Sequence, residues 1–210
     1  FEVLVDEGSM DLDLAAAFIA ELRAIRGFFY WQLIDWYGNV PLVTDFANAE
    51  ATPATENRSA VYAYVVGDLE AAVPKLSKAV DGTTYGRMNY YAGQALLAKL
   101  YLNAEAMIGQ DYYTECLAAC EKVIAAGYTL EPNYEELFMK DNHLSNEIIF
   151  PLISDGTRVQ SWGCTTFLVQ AAIGGSMSDS DSGVAGGWAG LRTTRNLIEQ
   201  FPDVTGDIDS

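Results

Sequence analysis

Carboxylates are the most abundant reactive side chains in this sequence, with 29 Asp and Glu residues against 12 Lys and Arg residues. Two groups are candidates for the acid–base pair of a hydrolase: Glu135 with its neighbour Glu136, and Asp179 with Asp181. A catalytic acid needs apolar surroundings that raise its pKa, and we expect neither group to lie in such surroundings. We therefore place a carboxylate-dependent hydrolase behind the non-enzymatic functions.

One histidine and three cysteines limit the nucleophilic and metal chemistry open to this chain. His143 lies in a polar stretch, and we predict a solvated loop residue rather than a catalytic base. Cys116 and Cys120 lie four residues apart in an apolar helical run, so we predict two free, buried side chains. Cys164 is far away, so no Cys/His set fits a zinc site, and no cofactor-binding motif is present. We predict neither a metal nor a cofactor.

Two tryptophans outside the periodic segments are the candidate ligand contacts. A sugar ring stacks its apolar face on an aromatic side chain, while its hydroxyl groups need planar polar partners. Both tryptophans lie in glycine-containing stretches with polar neighbours, and we predict as ligand-binding residues Arg158, Gln160, Trp162, Asp179 and Trp188. The alternative is that both tryptophans fill the junction between helices and loops.

The net charge of −17 restricts the classes of partner. It argues against a nucleic acid, because no basic stripe is present to displace counterions, and against direct docking on an anionic membrane. No apolar run reaches the ~18 residues that a membrane span needs. Asp203, Asp207 and Asp209 are spaced as in a calcium loop, but Gly206 is not at the EF-hand position, so we favour a plain acidic loop.

The longest predicted element is a helix from near Asp13 to Tyr37. Six large apolar residues recur at three- and four-residue steps and predict one buried face: Phe18, Leu22, Ile25, Phe29, Leu33 and Trp36. Gly38 and Asn39 favour a left-handed exit, and Pro41 cannot continue the helix. Arg23 and Arg26 are predicted to stabilise the helix stack.

Three more helices follow in the predicted scaffold. The second begins after Ser59 as N-cap and buries Tyr62, Val65, Val66, Leu69, Val73 and Leu76. The third runs from Asn89 to about Met107, and the fourth from about Asp111 to Ala126. The third and fourth helices are similar to one tetratricopeptide unit.

The character of the chain changes after Phe150. Residues 154–190 are rich in Gly, Ser, Thr and Asp, so we expect long loops, with a short strand at Ile148–Ile153 and a short helix in 191–201. The predicted fold is therefore mostly α, with tetratricopeptide-like helix pairs over residues 1–150 and a loop-rich irregular segment over 151–210.

The opening helix carries a pattern more specific than its periodicity. Glu21, Arg23 and Arg26 lead into aromatic residues, and the helix ends in Leu33-x-x-x-Tyr37-Gly38-x-Val40-Pro41-Leu42. This resembles the signature of the SusD/RagB family of starch-utilisation-type outer-membrane lipoproteins, with Gly27 in place of the usual Ala. Further segments match in order over about residues 15–152, and weakly over 187–201: Val61-Tyr62, Asp68-Leu69, Gly86-Arg87, Ala95 to Leu102, Gly127 to Leu130 and Asn146 to Phe150.

The resemblance implies a non-enzymatic, surface-exposed glycan-binding protein of the Gram-negative outer membrane. It implies that the protein delivers an oligosaccharide to a TonB-dependent, SusC-like transporter, and that residues 151–210 begin the variable ligand-side region. The membrane would be reached only through an N-terminal lipid anchor, which we expect to be absent from this chain. The chain begins at Phe1 and ends in a loop-like stretch, so we expect a fragment or a trimmed mature chain. Trp188 lies in the weak family match, so a scaffold role is favoured more strongly for Trp188 than for Trp162.

Two alternatives to carbohydrate binding stay open at this point. One is a tetratricopeptide-type adaptor that binds a peptide or protein segment. The other, which we rank lower, is the carboxylate-dependent hydrolase. The sequence names neither the glycan nor the oligomeric state.

Overall fold

The computed structural model describes residues 5–45, 47, 49–154, 157–159 and 165–200. The chain divides into two compact units, Phe1–Pro151 and Leu152–Ser210. Helices dominate the described residues, and the strands found there form one antiparallel two-residue pair. The predicted mostly α fold is therefore confirmed.

Helix α1 spans Leu12–Tyr37, within one residue of its predicted bounds. Asp11 caps its first turn, since its Oδ1 accepts hydrogen bonds from the N–H groups of Asp13 and Leu14 at 2.8 and 3.2 Å. At the other end Gly38 takes a φ of 74° and donates its N–H to the Ile34 carbonyl. Both ends are therefore decided by local chemistry that the sequence displays.

The predicted buried face of α1 is wrong. Leu22, Phe29 and Trp36 are 55%, 58% and 67% exposed, Leu33 is 37% exposed, and Phe18 and Ile25 are half-buried. The buried face instead carries small residues and one isoleucine: Ala15, Ala20, Ala24, Gly27 and Ile34. Small side chains let the next helix approach closely, and this close packing decides which face is covered.

A short strand pair separates α1 from α2. Strands β1 (Val40–Pro41) and β2 (Thr55–Glu56) are antiparallel, with Val40 opposite Glu56. Helix α2 spans Arg58–Ala72 and ends in a 3₁₀ turn at Val73–Lys75. Its N-cap is Asn57, whose side chain accepts from the N–H of Ser59, so the predicted cap at Ser59 lies two residues too late. The predicted apolar face of α2 is confirmed, apart from a half-buried Val66.

The predicted third helix is divided into two. Helix α3 spans Tyr90–Leu102, with Asn89 as the predicted N-cap, and α4 spans Ala104–Ile108. The break falls at Asn103, whose backbone N–H and side-chain Nδ2 both donate to the Lys99 carbonyl. A side chain that competes for a helical carbonyl in this way disfavours continuation of the helix.

Helix α5 spans Tyr113–Ile124 and completes the tetratricopeptide-like pair with α3. The other closely packed pair is α1 with α2. The core shared by the two helix pairs contains fully buried side chains: Ile34, Val61, Val65, Leu69, Val73 and Leu100. Cys116 and Cys120 are free but only half-buried, so the prediction that both are buried is wrong in degree. Cys116 faces the α3–α5 contact and donates to the Ala98 carbonyl at 3.4 Å.

The helical unit ends in two 3₁₀ turns, Tyr134–Phe138 and Asn142–Leu144. Residues 148–153, which the structure describes in full, form no strand, so the strand predicted at Ile148–Ile153 is wrong. Ile149 and Phe150 instead pack their side chains against the helical core. The apolar pattern of this segment therefore reflects anchoring of a loop rather than pairing in a sheet.

The second unit contains helices α6 (Thr165–Ala172) and α7 (Arg195–Ile198). Helix α6 lies inside the segment predicted to be loops, and α7 accounts for part of the helix expected in 191–201. Residues 186–191 run back along the end of α6, where their backbone groups satisfy its last carbonyls. In the described part of this unit, the contact between residues 186–191 and α6 is mainly one of backbone hydrogen bonds.

Candidate functional site

Asp179 and Trp188, two of the predicted ligand-binding residues, lie close together in the second unit. The Asp179 carboxylate accepts a hydrogen bond from the N–H of Gly187 at 3.1 Å. The Trp188 side chain is 48% exposed. Its indole packs edge-on against the ring of Phe167, with 5.5 Å between centroids. Asp179 thereby holds the backbone next to a half-exposed indole.

The end of α6 positions this indole. The N–H of Trp188 donates to the Gln170 carbonyl at 2.9 Å, and that of Ala189 donates to the Ile173 carbonyl at 2.8 Å. A side chain at Gly187 would collide with the carbonyl oxygen of Ile173, so glycine is required for this close approach. Gly187 therefore serves backbone contact, which agrees with a scaffold contribution from the neighbouring Trp188.

The other three predicted ligand-binding residues are less well placed by the structure. Arg158 is exposed in the short described stretch 157–159. Gln160 and Trp162 lie outside the described residues, as does Cys164. Their assignment to a ligand site stays a prediction from sequence.

The candidate hydrolytic groups are all at the surface. Glu135, Glu136, Asp179 and Asp181 are exposed. His143 is also exposed, in the 3₁₀ turn Asn142–Leu144, as predicted for a loop histidine. The geometry of these side chains provides no apolar enclosure of the kind that tunes a catalytic acid.

The described part of the chain holds no cluster of three or more His, Cys, Asp or Glu side chains suited to a metal ion. Asp203, Asp207 and Asp209 lie outside it. Within the same residues, no helix has both the length and the apolar character that crossing a membrane requires.

The charged residues of the opening motif join helices α1, α2 and α3. Asp68 on α2, whose side chain is 8% exposed, pairs with Arg23 at 3.5 Å and with Arg26 at 2.5 Å. Arg87, just before α3, makes a two-point ion pair with Glu21 at 2.6 and 3.1 Å. The predicted role of both arginines in stabilising the helix stack is confirmed. We assign none of these charged side chains to the ligand site.

Sequence reasoning missed a cleft in the helical unit of about 440 Å³. One wall is the turn before α3, with Asp81 and Tyr85, and the other includes His143 and Asn146. Asn89 and Tyr128 also line it. The turn and the polar loop are each visible in the sequence, but nothing local indicates that they face each other.

No protein-family model matches the chain. Among curated proteins, it is 30% identical to the starch-binding protein SusD of Bacteroides thetaiotaomicron over 186 residues. The alignment covers 87% of this chain and 33% of that relative. Curated relatives support the SusD/RagB family for this chain. The chain spans a third or less of the length of the curated relatives it matches.

Solved SusD-like proteins have the same fold. A laminarin-binding SusD-like protein is 28% identical, with a TM-score of 0.60 over 67% of this chain and 31% of that protein. The surface glycan-binding protein A of Bacteroides thetaiotaomicron, solved with laminarihexaose, has a TM-score of 0.73 at 22% identity. That similarity covers 92% of this chain and 41% of that protein, and at this identity it shows the fold alone.

Proposed function

We propose that this SusD/RagB-family protein binds glycans at the cell surface as a non-enzymatic capture protein. The observation that carries the proposal is the 30% identity to a starch-binding protein across 87% of the chain. The likeness to a laminarin-binding SusD-like protein adds support at 28% identity. Both relatives take neutral glucose polymers, so we propose the same ligand class for this protein.

The loop-rich unit is the proposed ligand side. Its half-exposed Trp188, backed by Phe167, offers an aromatic surface beside the Asp179 carboxylate. An aromatic face next to a hydrogen-bond acceptor suits a sugar ring and its hydroxyl groups. Trp162, with Arg158 and Gln160 close in sequence, is the proposed principal contact.

The test is a glycan array followed by isothermal titration calorimetry with maltoheptaose and laminarihexaose. Trp162→Ala is expected to weaken binding at least about fivefold, because an aromatic anchor typically contributes more than ~1 kcal/mol. Trp36→Ala is the matched control, since Trp36 is 67% exposed on α1, outside the proposed ligand side. Binding of no glycan, together with tight binding of a peptide, would favour the adaptor function instead.

The bound glycan is proposed to pass to a TonB-dependent, SusC-like transporter in the outer membrane. Similarity to SusD-like proteins supports this partner and this location, which concern the whole protein rather than this chain alone. Co-purification of the native protein with the transporter from outer membranes, and surface labelling of intact cells, test them. A protein that labels only after cell lysis would overturn the surface location.

A further inference from the structure

We propose that the cleft between residues 79–86 and residues 143–149 is a second glycan subsite, which takes a neutral oligosaccharide. All the residues that line it belong to the helical unit. This inference rests on the proposed glycan-binding function and adds a location that the sequence did not suggest. Its volume of about 440 Å³ falls within the ~300–1,000 Å³ range of small-molecule sites.

The groups that line the cleft match the chemistry of a sugar. Tyr85 is 37% exposed and offers an aromatic face for stacking. Asp81 contributes a carboxylate, and Asn146 contributes an amide that both donates and accepts hydrogen bonds. No Lys or Arg is present among the lining residues, all of which the structure describes, so an anionic ligand would lack a lysine or arginine partner.

The floor of the cleft contains a tyrosine hydroxyl that can donate a hydrogen bond to a ligand. Asn89 is 3% exposed, and its Nδ2 donates to the Ala79 carbonyl at 3.3 Å and to the Tyr128 hydroxyl oxygen at 3.2 Å. The Tyr128 ring is held edge-on by Tyr91. Within the described residues the Tyr128 hydroxyl proton has no acceptor, so it is available to a ligand oxygen.

The first wall is held by hydrogen bonds within its own turn. Asp81 Oδ1 accepts from the N–H and the hydroxyl of Thr83 at 2.8 and 2.6 Å. These hydrogen bonds lower the pKa of Asp81, which keeps the carboxylate ionised as an acceptor. Thr84 donates its hydroxyl to the Ala79 carbonyl at 3.0 Å and closes the turn. Little conformational entropy is therefore lost there when a ligand binds.

The second wall is held by a separate set of bonds. The Ser145 hydroxyl donates to the Glu131 carboxylate at 3.1 Å, and Glu147 accepts from the Glu131 N–H at 2.7 Å. Ile149 packs its side chain against the helical core. The two walls are thus anchored independently, and the space between them is preformed.

Calorimetry of the 210-residue chain with maltoheptaose and laminarihexaose tests the subsite. Tyr85→Ala is expected to raise Kd about tenfold through loss of the stacking face. Asp81→Asn keeps an oxygen for the Thr83 bonds but removes the charge, and we expect a severalfold weakening. Tyr134→Ala is the matched control, because Tyr134 is 71% exposed and does not line the cleft.

The outcomes separate this proposal from the proposed function. If the unmodified chain binds a probe and both cleft variants bind it equally well, the subsite is overturned while glycan binding stands. Equal weakening by Tyr134→Ala would also overturn it. If the unmodified chain binds no glycan at all, the proposed function itself fails, and the subsite fails with it. Should Tyr85→Ala not fold, as judged by thermal unfolding, Asp81→Asn and Asn146→Ala carry the test.

Discussion

The two units of the chain are stabilised in different ways. In the helical unit, large side chains such as Val61, Leu69 and Leu100 are fully buried between helices. In the described part of the second unit, buried apolar side chains are limited to Ala171 and Ile173. There, residues 186–191 are held mainly by backbone hydrogen bonds to the end of α6.

The two kinds of stabilisation differ in how freely the side chains can change. A side-chain core specifies the position of each helix, because every large residue must fill its own space. A segment held through its backbone can change its side chains without loss of those bonds, as the half-exposed Trp188 illustrates. Recognition loops on a rigid scaffold are the common outcome of this arrangement.

The largest effect is expected from the core of the helical unit. Leu69→Ala removes a fully buried side chain and should lower the free energy of unfolding by about 2–5 kcal/mol. Leu22→Ala, at a position of the same type in the sequence pattern, should cost about 0.5 kcal/mol or less, because Leu22 is 55% exposed. Urea denaturation measures both. Equal losses would mean that the large residues of α1 are buried after all.

Two helical glycines test how close packing in the helical unit affects stability. An ideal Cβ at Gly93 would lie 2.5 Å from Cγ2 of the buried Val73, so Gly93→Ala should destabilise by about 1–3 kcal/mol. A Cβ at Gly67 meets no atom within 4 Å, so Gly67→Ala should stabilise by up to about 1 kcal/mol through helix propensity. Thermal unfolding of both variants gives the sign. A destabilising Gly67→Ala would contradict the open surroundings of that residue.

The second unit should respond to a glycine substitution without involving the helical core. Gly187→Ala forces its Cβ against the Ile173 carbonyl and should break the neighbouring bond from the Ala189 N–H. Each lost bond costs about 1 kcal/mol, and we expect faster amide hydrogen exchange over residues 188–191 alone. Gly186→Ala, where the added Cβ meets nothing within 4 Å, is the control. Faster exchange in α2 or α3 would show that the units are not independent in stability.

The smallest effect at neutral pH is expected at Tyr62. Burial, reinforced by nearby Tyr112 and acidic groups, raises the pKa of Tyr62 from 10.0 to about 12. Because the folded state favours the protonated hydroxyl, its contribution is complete below pH 10 and is lost as the pH rises through about 12. Tyr62→Phe loses about 1 kcal/mol with its bond to the Leu100 carbonyl. In pH-dependent denaturation, the variant should then lose less stability than the unmodified chain between pH 10 and 12.

Much of the candidate site lay beyond sequence reasoning. Asp179 and Trp188 were both selected from the sequence, yet only the fold shows that the Asp179 carboxylate holds the residue before Trp188. The cleft near Tyr85 combines segments about 60 residues apart, and no periodic pattern links them. Contacts between distant segments depend on how helices pack, which a local pattern does not contain.

The sequence by itself determined several helix ends and indicated the family. Asn89 and Gly38 act within a few residues of themselves, so their capping roles could be predicted without a structure. The long motif through Tyr37 and Pro41 identified the family for the same reason, as an ordered local pattern.

Only the tertiary structure decided which face of α1 is buried. The apolar period selected Leu22, Phe29 and Trp36, whereas close packing against α2 selected Ala20, Ala24 and Gly27. Gly27 leaves no room for a Cβ beside Leu69, so the helices meet where side chains are smallest. Hydrophobicity favours burial of any apolar face, but the shape of the neighbouring helix selects one.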